Sequence, residues 1–298
     1  TWNELAVEKG HIAFEVQDNA IKTAEGLAKF KTKDIFGGNL AFKATDNFNN
    51  LTGTAKGWIE KDVPIGQDVT VKKDEGTQFD MKVEASAFKS FTGPVYWEHP
   101  KFVGFVTTDG ETTDVKNITG KGTADVNERF RIGKLKNGAL YGNPGSSLTG
   151  HFKAGLFQGV SGSLAWQYHQ WLAGTANIAE PTKTIDELSG ELAAGIKAPK
   201  AVGSSKLRLM PGAAGSLTVT LKDGKPDKYR GTVDFSFDKF AEGKVSVSGD
   251  MLDFDTLEGK STLAITAEKA ISGQKGMTLR EGGALAVELK NSNIEDFE

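Results

Sequence analysis

Strict alternation of apolar and polar residues constrains this chain more than any other feature. Residues 215–221 place three apolar side chains on one face of an extended strand, and residues 232–237 repeat the pattern. Between them, residues 222–227 contain Asp-Gly and a proline, which is the chemistry of a turn. The pattern predicts an antiparallel β-hairpin over residues 215–237.

A second signal is a recurring tetrad: an apolar residue, a small or polar residue, glycine, and the start of an alternating stretch. Such self-similarity is typical of proteins built from repeated supersecondary units. The nine tetrads begin with Leu51-Thr52-Gly53, Phe91-Thr92-Gly93, Ile118-Thr119-Gly120, Leu148-Thr149-Gly150, Val160-Ser161-Gly162, Leu172-Ala173-Gly174, Leu188-Ser189-Gly190, Val247-Ser248-Gly249 and Leu257-Glu258-Gly259.

Glycine is abundant, with 36 residues among 298, which is above its average share of roughly 7% and favours many short strands. Inside strands it indicates bulges, bends or close backbone contacts, or it simply marks hairpin ends. The tetrads are spaced irregularly, roughly 10 to 40 residues apart, which argues against a strict solenoid. We therefore expect an all-β protein: an antiparallel hairpin array, or a large β-sandwich or β-roll, with irregular repeats.

One stretch resembles a helix, because residues 182–200 contain several alanines. Two glycines and Pro199 interrupt it, so strand and loop are predicted instead. A seam near residues 179–182 separates a first part that holds all five Trp residues from a more regular second part. The sequence predicts an aromatic-rich β region at 1–180 and a regular β-hairpin region at 181–298, sharing one sheet system.

Composition excludes several function classes. Lys and Arg number 36 against 39 Asp and Glu, and the charges are mixed along the chain, so no attraction to nucleic acid or anionic lipid is encoded. No apolar run approaches the roughly 18 residues of a transmembrane helix. Cysteine is absent, which removes disulfides and thiolate chemistry. The start at Thr1-Trp2 favours a segment cut from a longer chain over a mature protein.

The segment Trp166-Gln-Tyr168-His169-Gln-Trp171 is the first candidate binding site. Alternation places Tyr168 on the face of Trp166, and His169 on that of Trp171. Such residues form platforms that stack sugar rings, and they also build ordinary sheet cores or protein interfaces.

A second aromatic cluster contains Tyr96 and Trp97 within residues 94–100. The prolines at both ends predict an edge strand or a loop. The cluster is then either an exposed ligand contact or a plug that closes one end of the core.

Catalytic and metal-binding motifs are not found. The four histidines lack metal-site spacing, and Asp250, Asp253 and Asp255 do not match an EF-hand loop, so alternation assigns these carboxylates to the solvated face of an amphipathic strand. Serines near glycines form no nucleophile elbow, and no P-loop or dinucleotide-binding pattern occurs. We predict no catalytic residues, no metal and no cofactor.

The tetrads and the strands from Leu188 to Ala270 resemble the Gly-punctuated β-repeat regions of large secreted bacterial proteins, including toxin and effector chains loaded by extracellular contractile injection systems. The likeness is one of texture without a diagnostic motif, so it transfers no functional residue. It implies a structural or carrier segment, secreted or at the cell surface, with any toxic activity elsewhere in a longer polypeptide.

Three functions stay open at this point. The first is a non-enzymatic structural or carrier module whose partners are other segments of a longer chain or a second protein. The second is a carbohydrate- or ligand-binding β-sandwich that uses the aromatic residues. The third is a lipid-binding groove or an outer-membrane barrel, although polar residues on both faces of segments such as 54–61 disfavour the barrel. Glycosidase activity needs only two carboxylates, whose separation a sequence does not show.

Overall fold

A computed structural model shows an all-β protein whose strands pair antiparallel throughout, so that part of the fold prediction is confirmed. The described residues are 5–32, 35–44, 51–133, 140–203, 206–213, 216–250, 257–270, 276–291 and 293–297.

The chain folds as two compact units. The predicted division at residue 180/181 stays a prediction, and the second unit also takes in two earlier segments. The first unit comprises Thr1–Glu128, Ser147–Gly162 and Ile178–Lys183, and the second comprises Arg129–Ser146, Ser163–Asn177 and Thr184–Glu298.

In the first unit, one antiparallel sheet has the strand order β1-β2-β3-β4-β7-β8. The other strands of this unit form a second set of pairs: β5 with β6, β6 with β9, β9 with β10, β10 with β11, and β11 with β14. The 3-10 turn Val115–Asn117 precedes β11. The strands are β1 Leu5–Gln17, β2 Ala20–Thr32, β3 Phe36–Ala44, β4 Thr52–Ile59, β5 Val63–Ile65, β6 Val69–Val71, β7 Asp74–Glu84, β8 Ala87–Thr92, β9 Pro94–Glu98, β10 Phe102–Thr108, β11 Gly120–Val126 and β14 Ser147–Lys153.

In the second unit, β17 pairs with β20, and β20 to β23 pair in sequence order before β26 and β27. Strands β15 and β16 contribute residues to both units, and the 3-10 turn Ile185–Glu187 precedes β17. The strands are β12 Phe130–Ile132, β13 Leu140–Gly142, β15 Leu156–Tyr168, β16 Leu172–Thr182, β17 Gly190–Ile196, β18 Lys200–Ala201, β19 Leu207–Met210, β20 Leu217–Lys222, β21 Lys225–Phe237, β22 Ala241–Asp250, β23 Gly259–Ile265, β24 Lys269–Ala270, β25 Thr278–Leu279, β26 Ala284–Lys290 and β27 Asn293–Phe297.

The fold repeats itself with a period of 67 to 70 residues. Four hairpins close through a two-residue turn in which both residues have positive φ, the conformation of the tight turns that match strand twist. A register shift lies two or three residues ahead of the turn in three of these hairpins, β1–β2, β7–β8 and β20–β21, and also in the hairpin β26–β27. The four turns are Asp18-Asn19, Ala85-Ser86, Ala154-Gly155 and Asp223-Gly224.

Hydrogen bonds join each of the last three of these turns, the internal turns, to a tetrad that precedes it in the chain. The Gly155 N–H donates to the Ile118 carbonyl at 2.9 Å, and the Ala154 N–H donates to the Thr119 hydroxyl at 2.9 Å. Gly155 has a φ of +73°, and a Cβ there would lie 1.7 Å from the Lys116 carbonyl oxygen, so only glycine fits. We call this arrangement the turn–tetrad joint.

The same joint forms in the repeats on either side. In each case the second turn residue donates its N–H to the carbonyl of the apolar tetrad residue, and the first donates to the Ser or Thr hydroxyl. The other two joints are Ser86 N to Leu51 O at 2.8 Å with Ala85 N to Thr52 Oγ1 at 3.3 Å, and Gly224 N to Leu188 O at 2.9 Å with Asp223 N to Ser189 Oγ at 2.9 Å.

The irregular spacing of the tetrads therefore has a structural explanation. Tetrads occur at several different positions within one repeat, and their series interleave. Leu51, Ile118, Leu188 and Leu257 begin one series at intervals of 67, 70 and 69 residues, whereas Phe91 belongs to another. The tetrads taken together are spaced irregularly, as the sequence indicates, whereas the members of this one series are nearly evenly spaced.

One buried aromatic residue marks the core of each repeat. Trp97 and Trp166 are 0% and 1% exposed, and Phe30 and Phe235 occupy the equivalent positions at 1% each. In three of these repeats, the aromatic residue itself is paired with a residue of a short strand that follows the tetrad, as Trp97 is paired with Val71. The two tryptophans are thus core residues of the repeat.

Two local predictions are confirmed and one is wrong. Residues 217–237 form the expected hairpin with its turn at Asp223-Gly224, and residues 182–200 contain strand and loop around a single 3-10 turn. Pro94–Glu98 was expected at an edge or in a loop, but this strand pairs with both β6 and β10. Pro94 is its first residue, where a missing N–H is tolerated. Asp253 and Asp255 lie outside the described residues.

Candidate functional site

The hairpin of β1 and β2 carries several large apolar side chains that are exposed. Ile12, Phe14 and Val16 are 44%, 51% and 64% exposed, and Ile21 beside them is 38% exposed. Val16 pairs with Ile21, and Phe14 pairs with Ala24, so these side chains lie together near the tip of the hairpin. We call this end, residues 11–27, the open hairpin.

In the other repeats, nearly all of the equivalent side chains are buried. Positions two, four and six residues ahead of the turn hold Val83, Met81 and Phe79 in the hairpin β7–β8, at 0%, 2% and 1% exposure. The corresponding residues in the other three hairpins are buried too, except Leu285 in β26, which is half-buried. The buried ones are Leu148, Gly150 and Phe152 in β14, Leu217, Val219 and Leu221 in β20, and Val287 and Leu289 in β26.

The turn of the open hairpin also lacks its tetrad. Asp18 and Asn19 have the same positive φ values as the internal turns, 54° and 59°, yet within the described part of the chain no tetrad accepts their N–H groups. Two side-chain hydrogen bonds, from Lys22 to Gln17 at 2.7 Å and from Thr23 to Glu15 at 3.0 Å, brace the hairpin itself. Among the described residues, this turn therefore has the conformation of the internal turns but no turn–tetrad joint.

A groove of about 860 Å³ adjoins the open hairpin. It crosses β1 to β4 and is lined by apolar and polar groups, among them Ile12, Leu27 and Phe42 with His11, Glu25 and Lys43. The polar lining carries both charge signs, so the groove offers no strong preference for an anion or a cation.

The first predicted aromatic site is mostly part of a core. Trp166 and Tyr168 do share one face of β15, but they are 1% and 8% exposed. His169 lies in the turn after the strand with φ +50°, and its ring meets that of Tyr168 edge-on at 4.4 Å. Trp171 meets Tyr168 at 6.1 Å. Stacking on a sugar needs an exposed ring face, so in this segment only His169 and the half-buried Trp171 present one.

The second predicted site belongs to the other compact unit. Trp97 is fully buried, and Tyr96 on the opposite face of β9 is half-buried against Phe105, with ring centroids 5.3 Å apart. Burial and the nearby Glu98 carboxylate raise the pKa of the Tyr96 hydroxyl. The structure therefore does not bring Tyr96 and Trp97 together as one platform, and a binding role for the six residues stays a prediction.

Sequence reasoning missed one polar pair. His151 Nε2 lies 2.8 Å from the Ser161 hydroxyl, across β14 and β15. Burial, followed by the charge of Lys121, lowers the pKa of His151, which favours the neutral imidazole. No motif signals this pair, because its residues meet only through strand pairing. Among the described residues, no carboxylate is hydrogen-bonded to the imidazole, and the pair lies across two strands of a sheet.

The other shifted groups are surface ion pairs and one half-buried histidine, His99. Hydrogen bonds from Lys72 and the Lys73 backbone lower the pKa of the exposed Asp62 carboxylate, and Asp62 in turn raises that of Lys72. Burial between Phe102 and Phe157 lowers the pKa of His99. Exposed pairs of this kind contribute little to stability.

No group of three or more His, Asp or Glu side chains in the described ranges is placed to hold a metal ion. Within the same ranges, no helix has the length and apolar character needed to cross a membrane. Comparison of the chain with protein-family models, with curated proteins and with solved structures gave no match.

Proposed function

We propose that this protein is a non-enzymatic structural or carrier module, a β-repeat scaffold that forms part of a larger secreted or delivered bacterial protein. The observation that carries the proposal is the turn–tetrad joint, which recurs with the same donors and acceptors in three successive repeats. Repeat proteins of this kind derive stability from neighbouring repeats, and they commonly serve as spacers or binding scaffolds.

The distribution of titratable groups supports the same conclusion. Catalytic sites gather side chains with shifted pKa values in a cleft. Among the described residues, the shifted groups are exposed ion pairs, half-buried Tyr96 on a strand, and the separate histidines His99 and His151. The residues that recur from repeat to repeat are instead glycines, hydroxyls and core apolar groups, which build structure.

Removal of one whole repeat tests the proposal. Deleting residues 120–189 joins Thr119 to Gly190 and leaves an intact tetrad ahead of the Asp223-Gly224 turn. A scaffold of equivalent repeats should keep a β-rich circular dichroism spectrum and one cooperative unfolding transition. The matched control deletes residues 120–154, half a repeat, and should not fold. If the whole-repeat deletion also fails to fold, the scaffold proposal is wrong.

A further inference from the structure

The turn between β9 and β10 has a histidine at its first position. Its four residues are His99, Pro100, Lys101 and Phe102. The His99 N–H donates to the Phe102 carbonyl at 2.7 Å, and the Phe102 N–H donates to the His99 carbonyl at 3.1 Å. The commonest β-turn favours Pro at the second position and Asp, Asn or Ser at the first. An Asp or Asn there accepts a hydrogen bond from the backbone two residues further on.

The His99 ring makes the hydrogen bond that such a side chain would make. Its Nδ1 atom accepts from the Lys101 N–H at 3.1 Å. Because Nδ1 is the acceptor, the neutral ring carries its proton on Nε2. A second proton therefore binds at Nδ1 and converts the acceptor into a donor that faces the Lys101 N–H. Histidine alone among the residues that can fill this position changes in this way between pH 5 and 8.

Aromatic packing holds the ring in place. His99 is half-buried, and its ring stacks on Phe102 with centroids 5.5 Å apart and an interplanar angle of 22°. On its other contact, Phe157 of β15 lies at 5.2 Å. Phe157 in turn meets the buried Trp97 at 5.4 Å. The ring therefore belongs to an aromatic cluster of the first unit, and a change in its position affects that cluster.

Two charged side chains act on the ring in opposite directions. Asp68, in the turn between β5 and β6, favours the imidazolium, whereas Lys101 disfavours it. Burial has a larger effect than either charge, and it lowers the pKa of His99. The closed turn therefore favours the neutral ring. Its closure is fully favoured above the open-turn pKa of about 6.5 and becomes less favoured as the pH falls below that value.

We propose that His99 is a pH-sensitive switch: the neutral ring closes the turn between β9 and β10, and protonation of Nδ1 opens that turn locally. The switch goes beyond the scaffold function and does not depend on it. The Lys101 carbonyl also accepts the Asn127 N–H at 3.0 Å, just after β11. Opening of the turn therefore loosens the end of β11 as well.

Amide hydrogen exchange and ring ¹⁵N chemical shifts, both measured by NMR at pH 7.5 and 5, test the switch. The ring of His99 should be the Nε2–H tautomer at pH 7.5. The protection factor of the Lys101 amide should fall by about tenfold at pH 5, below the ceiling of about 30-fold that an open-turn pKa of about 6.5 sets. The Phe91 amide, which donates to the Thr112 carbonyl at 2.8 Å in the same unit, is the reference and should change little.

His99→Asn is the matched variant, because Asn retains an acceptor for the Lys101 N–H but does not titrate. Its Lys101 amide should be protected to the same extent at both pH values. His151→Asn removes the other histidine with a lowered pKa and should leave the pH effect at Lys101 intact.

Four results would overturn the proposal. The first is an Nδ1–H tautomer of His99 at pH 7.5, and the second is pH-independent protection of Lys101 in the unsubstituted protein. The third is an equal fall in His99→Asn, which would assign the effect to another group. The fourth is an equal loss of protection at Phe91, which would mean that the whole unit opens and not the turn. The tautomer and the Phe91 reference are measured on the unsubstituted protein, so they decide the question even if His99→Asn fails to fold.

Discussion

Replacing Gly155 with alanine should destabilise the protein far more than the loss of a glycine normally does. The φ of +73° costs an L-residue about 1–2 kcal/mol. The new Cβ would also lie 1.7 Å from the Lys116 carbonyl oxygen, so the turn has to withdraw from the tetrad. Withdrawal breaks two hydrogen bonds, each worth about 1 kcal/mol net. The expected loss is therefore about 3–4 kcal/mol in the free energy of unfolding.

Gly145→Ala is the matched control. Gly145 has a φ of +87°, but a Cβ there would meet nothing within 4 Å. This variant should lose only the conformational term, about 1–2 kcal/mol. Urea unfolding followed by circular dichroism and tryptophan fluorescence measures both values.

The refuting result is equal destabilisation by Gly155→Ala and Gly145→Ala, since it would show that the turn is not held against the 3-10 turn. Gly224→Ala repeats the test in the second unit, where the Cβ would lie 1.9 Å from the Asp186 carbonyl oxygen. It should match Gly155→Ala and not the control.

Four other substitutions, at three positions, give distinct outcomes. Trp166→Phe should change the free energy of unfolding by no more than about 1 kcal/mol, because the buried Nε1 has no hydrogen-bond partner and its removal offsets the lost volume. Trp166→Ala should lower the free energy of unfolding by about 3–5 kcal/mol. Equal losses for the two variants in urea unfolding would contradict the assignment of Trp166 to the core. Ala154→Asn should stabilise the protein by about 1 kcal/mol because Asn tolerates the φ of +48°, and an unchanged melting temperature would count against this. The Nδ1 atom of His99 accepts a hydrogen bond from the Lys101 N–H, and the pKa of His99 is lowered in the folded protein. The unfolded chain therefore binds a proton at His99 more readily than the folded chain does. The contribution of His99 to the free energy of unfolding is fully present above the unfolded pKa of about 6.5 and decreases as the pH falls below that value. In His99→Gln, the melting temperature should therefore decrease less between about pH 7.5 and 5.5 than it does in the unsubstituted protein, and the remaining decrease reflects the smaller contribution of His151. An unchanged pH dependence of the melting temperature would refute the role of His99.

The sequence was sufficient for the local fold. Period-two alternation with Asp-Gly between the runs predicts the hairpin over residues 215–237, because one face is buried and the turn residues tolerate positive φ. The same reasoning failed for Pro94–Glu98. Pro94 occupies the first strand position, so the strand has neighbours on both sides despite its proline.

The repeat and the open hairpin could not be read from the tetrads alone. A glycine after an apolar residue has several structural causes here: at Gly53 and Gly120 the tetrad holds a turn, whereas at Gly93 and Gly162 the glycine lies in or beside a strand with positive φ. Sorting these cases requires knowing which backbones approach each other. Likewise, Phe14 and Met81 have the same pattern around them, and only the structure shows that one is exposed and the other buried.

Residue-resolved amide hydrogen exchange tests the central claim most directly, because the claim concerns individual N–H groups. The account predicts slow exchange for the amides of Ser86, Gly155 and Gly224, which donate to tetrad carbonyls, and fast exchange for Asn19, the equivalent amide of the open hairpin. Fast exchange at all four amides would contradict the turn–tetrad joint. Slow exchange at Asn19 as well would contradict the open end.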